Sequence, residues 1–346
     1  MNRILISGPD FCAVAEDGLL TEYLERDPEQ QYGDILGGTV DRMMPGIGSA
    51  FVDIGRKKSG FLPIRENSRS FTGPELRSGM KEAVQIRREE TGNKGAFLTR
   101  DLTLAGKYIL LMPLNRYIGI SSRIREETER NRLRSLGAEL ARGETGLVLR
   151  TASQNAEKAE ISAEVQSLTA EWHHIRQRIR DGFSNGTVLY HQDPISQMIQ
   201  DYESKGIDEK IESAALNADF QRQLQMSGNR SVPIRNGGNI VIDPCEAMTV
   251  IDVNSGSAKA DSRENSAYLQ TNLSACETIA AQIRLRNLSG IILIDFIDMN
   301  TDEDRAEVIR ALSEMLERDR RKTVIHGWTS LGILEMTRKR TGTSRR

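Results

Sequence analysis

The 346-residue sequence predicts a mixed α and β chain of two or three domains. Three observations predict it. Between residues 33 and 111, glycines punctuate short apolar runs, which is the texture of a small β-barrel. Between 112 and 185, apolar residues recur at three- and four-residue steps, the period of a helix. From about residue 236, the pattern becomes strand, strand, helix, strand, helix, which is α/β texture.

The elements follow in order. Residues 1–32 read as short strands at Arg3–Ile6, Cys12–Glu16 and Leu19–Leu24. Barrel strands are expected at Ile35–Val40, Gly48–Ile54, Ser59–Leu62, Glu82–Arg87 and Ala96–Leu98. Glu126–Ala141 is highly charged, with leucines at 133, 136 and 140, and predicts a helix with a narrow apolar stripe. Gly146–Thr151 reads as a buried strand. Ala156–Arg180 predicts a long amphipathic helix carrying Ile161, Val165, Leu168, Trp172, Ile175 and Ile179 on one face. Pro194–Ala215 is less regular and predicts one or two helices. Asn239–Asp243 and Met248–Val253 predict strands split by the turn at 244–246. Ser266–Arg286 and Asp302–Arg320 predict helices, with the apolar strand Gly290–Ile294 between them. Thr323–His326 is the last expected strand.

Composition excludes several classes. Apolar residues make up 38% and charged residues 28%, so the chain is not a disordered tail. No apolar run approaches the roughly 18 residues of a membrane span. The N-terminus MNRILISGPD lacks the apolar core of a signal peptide. No membrane partner is expected, and a cytoplasmic location is. Cys12, Cys245 and Cys276 lie far apart, which excludes a disulfide framework and any CxxC zinc site. There is no Walker A loop, dinucleotide glycine fingerprint or Gly-x-Ser-x-Gly elbow. The net charge of −2 hides an uneven distribution, because nine Lys/Arg face two Asp/Glu from Arg318 to Arg346. Such a surplus attracts a polyanion. For Arg338–Arg346 a solvated, frayed tail is the plainer reading.

The strongest chemical constellation is a pair of aspartates at strand ends. Asp252 follows Thr249-Val250-Ile251, and Asp295 follows Ile291-Ile292-Leu293-Ile294. A carboxylate at the end of a buried strand is costly unless something pairs with it. With one helix between them, the two strands are expected side by side. Two adjacent carboxylates are reconciled by a shared proton or by a divalent cation. Oxygen ligands without nearby His or Cys favour Mg²⁺ or Mn²⁺. Asn254, two residues on, points to the same side of an extended chain. Asp298 is a further candidate. The competing reading is that 252–257 forms a strand-to-loop turn and the aspartates cap turns or helices.

Two weaker features accompany it. Phe51 and Phe61 flank a loop containing Arg56, Lys57 and Lys58, and Lys94 lies in a Gly-Asn-Lys-Gly turn. Rings beside cations on a small barrel suit a single-strand binder, where bases stack and phosphates meet the cations. Phe51 also sits in an alternating strand, so both rings equally suit the core. Arg150-Thr151 ends the GLVLRT strand. An arginine fork plus a hydroxyl suits a terminal phosphate, against the reading of an ordinary surface arginine.

Six collinear segments resemble the ribonuclease E/G family: Ala50–Leu62 (AFVDIGRKKSGFL), Gly92–Gly95 (GNKG), Gly146–Ala152 (GLVLRTA), Ile251–Ser255 (IDVNS), Thr271–Leu273 (TNL) and Ile292–Met299 (ILIDFIDM). The resemblance runs along nearly the whole chain and implies an α+β mosaic. A structural ribonuclease-H-like subdomain would be split between 1–32 and 186–227. An OB-fold RNA-binding barrel would occupy 33–111, and a 5′-sensor region 112–185. A deoxyribonuclease-I-like α/β catalytic domain would occupy 228–346. The resemblance further implies that Asp252 and Asp295 hold Mg²⁺ and that Asn254 orients the attacking water or scissile phosphate. It implies that Arg150 and Thr151 grip a 5′-monophosphate, and that Phe51, Phe61 and Lys94 grip single-stranded RNA. The implied reaction is endonucleolytic cleavage of single-stranded A/U-rich RNA in processing or decay. Water attack would leave 5′-phosphate and 3′-hydroxyl ends.

Two departures qualify the resemblance. Family members usually carry a CPxCxGxG segment after the stretch matching Gly332–Arg340, and two chains share its cysteines around zinc. This sequence reaches Arg346 without it, so no structural zinc is expected and any homodimer would lack a zinc link, which leaves weak dimerisation, a different dimer and a less processive monomer open. A contraction around 200–235 is the second departure. Further basic contacts of the 5′-sensor are not identifiable beyond Lys322 and Arg123 as candidates. The alternative function is a non-catalytic protein that binds single-stranded RNA, and the intact Asp252, Asn254 and Asp295 argue for the enzyme. A DNA nuclease rests on fold alone, which does not set function.

Overall fold

The computed structural model describes residues 2–27, 31–64, 70–90, 92–141, 143, 145–203, 205–235, 237–256 and 264–339, with backbone alone for 264–266. The expected tail beyond residue 339 lies outside them. The chain divides into two compact units, Arg26–Gly206 and Met1–Glu25 with Ile207–Arg346. Among the described residues no helix is long and apolar enough to cross a membrane.

The unit Arg26–Gly206 holds an OB-like barrel. Strands Ile35–Met44, Ser49–Asp53, Gly60–Pro63, Phe97–Thr99 and Lys81–Arg88 pair in that order, and the last pairs back onto the first. Closure removes the open edges of the sheet. Leu36, Val40, Ala50, Val52, Leu62, Val84, Ile86 and Leu98 fill the interior. The GNKG turn ends in glycine because a Cβ at Gly95 would lie 2.2 Å from the Ser59 carbonyl oxygen.

The same unit carries a second sheet in the order Ile118–Ile120, Gly146–Leu149, Ile109–Met112, Leu104–Ala105. The expected strand to Thr151 stops at Leu149, and Thr151–Ser153 forms a short 3₁₀ turn. Helix Lys158–Asp181 begins at a reciprocal capping box between Glu157 and Glu160. It buries Ile161, Val165, Trp172 and Ile175, most of the face its spacing predicts. Its Glu164 carboxylate accepts the backbone N–H groups of Lys107, Tyr108 and Ile109 at 2.6, 2.8 and 2.9 Å.

The other unit contains two sheets. In the first, Glu209–Glu212, Arg3–Ser7, Phe11–Glu16 and Leu19–Glu25 lie side by side. This corrects the expectation of helix alone across 194–215: the helix is Pro194–Glu203, and Glu209–Glu212 is a strand parallel to Arg3–Ser7. The second sheet has six strands, in the order Ser231–Ile234, Gly238–Pro244, Met248–Asn254, Gly290–Asp295, Leu334–Arg338, Thr323–Trp328. Helices Glu264–Leu285 and Asp302–Glu317 supply Ile279, Ile283, Val308 and Leu312 to a core with Ile251, Val253, Ile292 and Ile294 from the sheet. The alternate residues of the two central strands lie on the opposite face, where Asp252, Asn254 and Asp295 are exposed and Val250 and Leu293 partly so.

Leu334–Arg338 is a strand the sequence reading did not anticipate. Arg338, for which the sequence left a frayed tail and a polyanion contact open, is buried, and its Nε lies 2.6 Å from Asp319 Oδ2. Its Nη1 donates to the Leu288 carbonyl at 2.9 Å. Removing one partner of such a pair leaves an unpaired buried charge. Asp319→Ala is therefore expected to destabilise this unit by roughly 3–5 kcal/mol, read as a lower midpoint of urea denaturation. An unchanged midpoint would show that the pair does not hold the last strand in place.

Candidate active site and nucleic-acid interface

Met248–Asn254 and Gly290–Asp295 are parallel neighbours, and their register sets Asp252 directly beside Asp295. Both side chains, and Asn254, are exposed. Asp252 and Asn254 lie inside the strand, so the turn reading does not describe them. Asn254 Nδ2 donates to Asp252 Oδ2 at 2.7 Å. The exposure lessens the burial cost that the sequence reading invoked, and mutual repulsion adds to what remains of it. The Asp295 carboxyl is raised above its usual range by partial desolvation, then by the charges of Asp252 and Asp298.

The segment after Asp295 is held from below. Asn272, fully buried on helix Glu264–Leu285, donates to the Ile297 carbonyl at 2.8 Å and accepts from the Ile297 N–H at 3.1 Å. Asn272 is the middle residue of the TNL segment, and its bracing role was not legible from spacing.

The donors suit a hard cation. They are two carboxylates, and among the described residues no third His, Cys, Asp or Glu completes a set. Mg²⁺ keeps several waters and binds through one or two carboxylates, so this pair fits it. The repulsion that adds to desolvation in raising Asp295 is the interaction such a cation would offset.

On the barrel, Phe51 and Phe61 are partly exposed and alternate with the buried Ala50, Val52, Gly60 and Leu62. They face outward, so the core reading does not hold. Phe51 and Phe61 are register partners with ring centroids 5.9 Å apart. Phe61 in turn pairs with Phe97, at 5.8 Å. Lys94 is exposed in its turn. Arg56 is not available to a ligand in the same way: it pairs with Glu89 at 3.2 Å and donates to Gln31 at 2.6 Å. Lys58 Nζ donates to the Gly92 carbonyl. Phe97 was missed, although the alternation Ala96-Phe97-Leu98 carries the signal.

Arg150 and Thr151 lie together at the end of strand Gly146–Leu149. Thr151 Oγ1 is 3.0 Å from Ser121 Oγ. The Arg150 fork is engaged, with Nη2 on the Asp201 carboxylate and Nη1 on the Gly106 carbonyl. Asp201 sits on helix Pro194–Glu203, and nothing in the sequence pointed to it. Arg123 is exposed in the turn after Ile118–Ile120. Lys322 belongs to the other unit.

The Ribonuclease E/G family model matches residues 103–216 and 209–341. The chain is 32% identical to Ribonuclease G of Escherichia coli K12 over a 378-residue alignment covering 95% of this chain and 77% of that protein. It is 34% identical to Ribonuclease G of Haemophilus influenzae, with the same coverage. It is 31% identical to Ribonuclease E of a Nostoc strain, over 98% of this chain and 56% of that protein.

The coupling of the two carboxylates has a direct readout. Removing the Asp252 charge removes one of the interactions that raise Asp295. In the metal-free Asp252→Asn chain, the Asp295 carboxyl is expected to titrate at lower pH than in the native chain, followed by carbon NMR of the aspartate carboxyl carbons. An unmoved Asp295 titration would mean that the register neighbours do not interact.

Proposed function

The chain belongs to the ribonuclease E/G family and is an endoribonuclease of that type, and from this premise we propose that it cuts single-stranded A/U-rich RNA at Asp252 and Asp295. The observation that carries the proposal is the in-register placement of those two carboxylates on adjacent parallel strands, with Asn254 hydrogen-bonded to the first. Asp252 and Asp295 would hold Mg²⁺, or Mn²⁺ in its place. Bound there, the ion supplies Lewis-acid polarisation of a phosphoryl oxygen and offsets charge building on phosphorus. Asn254 commits its amide N–H to Asp252, which leaves its oxygen to accept a hydrogen bond from water approaching the scissile phosphate. Hydrolysis in this manner leaves a 5′-phosphate and a 3′-hydroxyl.

Phe51, Phe61 and Lys94 would hold the substrate on the barrel. Unpaired bases can splay out and stack on rings, and paired bases cannot, which supports a single-stranded substrate. Arg150 and Thr151 would receive a 5′-monophosphate. That reading requires the phosphate to displace the Asp201 carboxylate from the Arg150 fork, an exchange of one anion for a more highly charged one. The domain scheme is also part of the proposal: ribonuclease-H-like at 1–32 with 186–227, sensor at 112–185, and deoxyribonuclease-I-like at 228–346. The parallel pairing of Arg3–Ser7 with Glu209–Glu212 supports the split first subdomain.

Cleavage of a short A/U-rich RNA tests the site. Asp295→Ala is expected to lower the rate by a factor on the order of 10² or more, and EDTA to do the same. The native products should ligate only through a 5′-phosphate. Native rates in Asp295→Ala would place the chemistry elsewhere. The sensor has its own test: Asp201→Asn removes the competing negative charge at the Arg150 fork and should raise the preference for a 5′-monophosphate over a 5′-triphosphate several-fold, while Arg150→Ala should erase it. A preference indifferent to both substitutions would leave Arg150 a structural residue.

A further inference from the structure

The outward rings of the barrel continue beyond Phe51 and Phe61. Arg42 is the register partner of Phe51, Phe51 of Phe61, Phe61 of Phe97, and Phe97 of Arg88. One residue from each of the five barrel strands therefore lies in a single row, and the row reads Arg–Phe–Phe–Phe–Arg. The three ring centroids are evenly spaced, at 5.9 and 5.8 Å. The Arg88 guanidinium lies over the Phe97 ring, 4.7 Å from its centroid. Both end residues, Arg42 and Arg88, are exposed.

The availability of the two arginines separates them from their neighbours. Arg56 is tied to Glu89, and Arg100 to Glu82 at 3.1 Å. Among the described residues no carboxylate pairs with Arg42 or Arg88. An unpaired guanidinium stacked on a ring extends that flat surface by one more plane and keeps its N–H edge free for a phosphate. Apolar rings at a solvent-facing surface, capped at both ends by free cations, match a polyanion with flat apolar bases and match neither a neutral apolar peptide nor an acidic one.

We propose that Phe97 is a third base-stacking ring and that Arg88 and Arg42 are phosphate contacts at the two ends of the row, so that the RNA track runs across all five strands of the barrel. The proposal rests on the reading of Phe51 and Phe61 as a platform for single-stranded RNA. It adds three residues to that platform and sets its direction, along the register row and not along a strand.

Binding of a short fluorescein-labelled oligouridylate to the full chain, in EDTA so that no cleavage intervenes, tests it. Phe97→Leu keeps an apolar side chain and removes the ring, and is expected to weaken binding by about five- to one-hundred-fold with no change in salt dependence. Phe97→Trp should retain binding. Arg88→Ala and Arg42→Ala should each weaken binding and flatten the plot of log affinity against log salt by about 0.7. Phe51→Ala is the reference for the platform itself. Weakened binding in Phe51→Ala, with native affinity and slope in Phe97→Leu and Arg88→Ala, overturns the extension and leaves the platform standing. Native affinity in all of them removes the platform and the extension together.

Discussion

The direction of two strands constrains everything at the carboxylate site. Met248–Asn254 and Gly290–Asp295 run parallel, so Asp252 and Asp295 end up on the same face of the sheet and at the same level. A slip of one residue in either strand would turn its carboxylate inward, where Ile251, Val253, Ile292 and Ile294 now meet the helices. An anion in that core would face a large desolvation cost with no partner to offset it. Apolar packing thus fixes the register, and the register fixes the chemistry. A parallel pair also needs a crossover, and helix Glu264–Leu285 supplies it. The same helix carries Asn272 beneath Ile297, so the element that makes the strands parallel also steadies the backbone beyond Asp295.

The barrel applies the same logic to rings. Alternation along each short strand sends Ala50, Val52, Leu62, Ala96 and Leu98 inward and leaves Phe51, Phe61 and Phe97 outside. Closure then aligns those three outward positions across adjacent strands. Their edge-on and tilted contacts shield part of each ring from water while leaving a surface exposed.

What the sequence revealed and what it hid divide along physical lines. The runs Met248–Val253 and Gly290–Ile294 were legible as strands because they are short and apolar on consecutive positions although one face is uncovered, and the face of helix Lys158–Asp181 was legible because its period is long and regular. Strand Glu209–Glu212 was not legible: its sequence is EKIE, it is mostly exposed, and only its pairing with Arg3–Ser7, some two hundred residues away, makes it a strand. The placement of Asp252, Asn254 and Asp295 followed from strand direction and period, whereas their exposure did not, since hydropathy marks the strand and not which face is covered. Asp201 carried no local signal at all. It meets Arg150 only through tertiary packing.

Charge counting shows the same limit most sharply. The nine basic residues after position 317 look like a polyanion site in the sequence. In the fold, Arg320 pairs with Glu22 at 2.8 Å and Arg338 with Asp319 at 2.6 Å, both pairs largely shielded from solvent. Arg3 and Arg284 converge on Glu16 in the same unit, at 2.9 and 2.7 Å. These cations are spent on internal partners and offer little to RNA. Two of the nine are thus committed to carboxylates inside the fold, whereas Arg42 and Arg88 on the barrel are exposed and have no carboxylate partner among the described residues. Partner geometry, not net charge, decides where this chain can receive a polyanion.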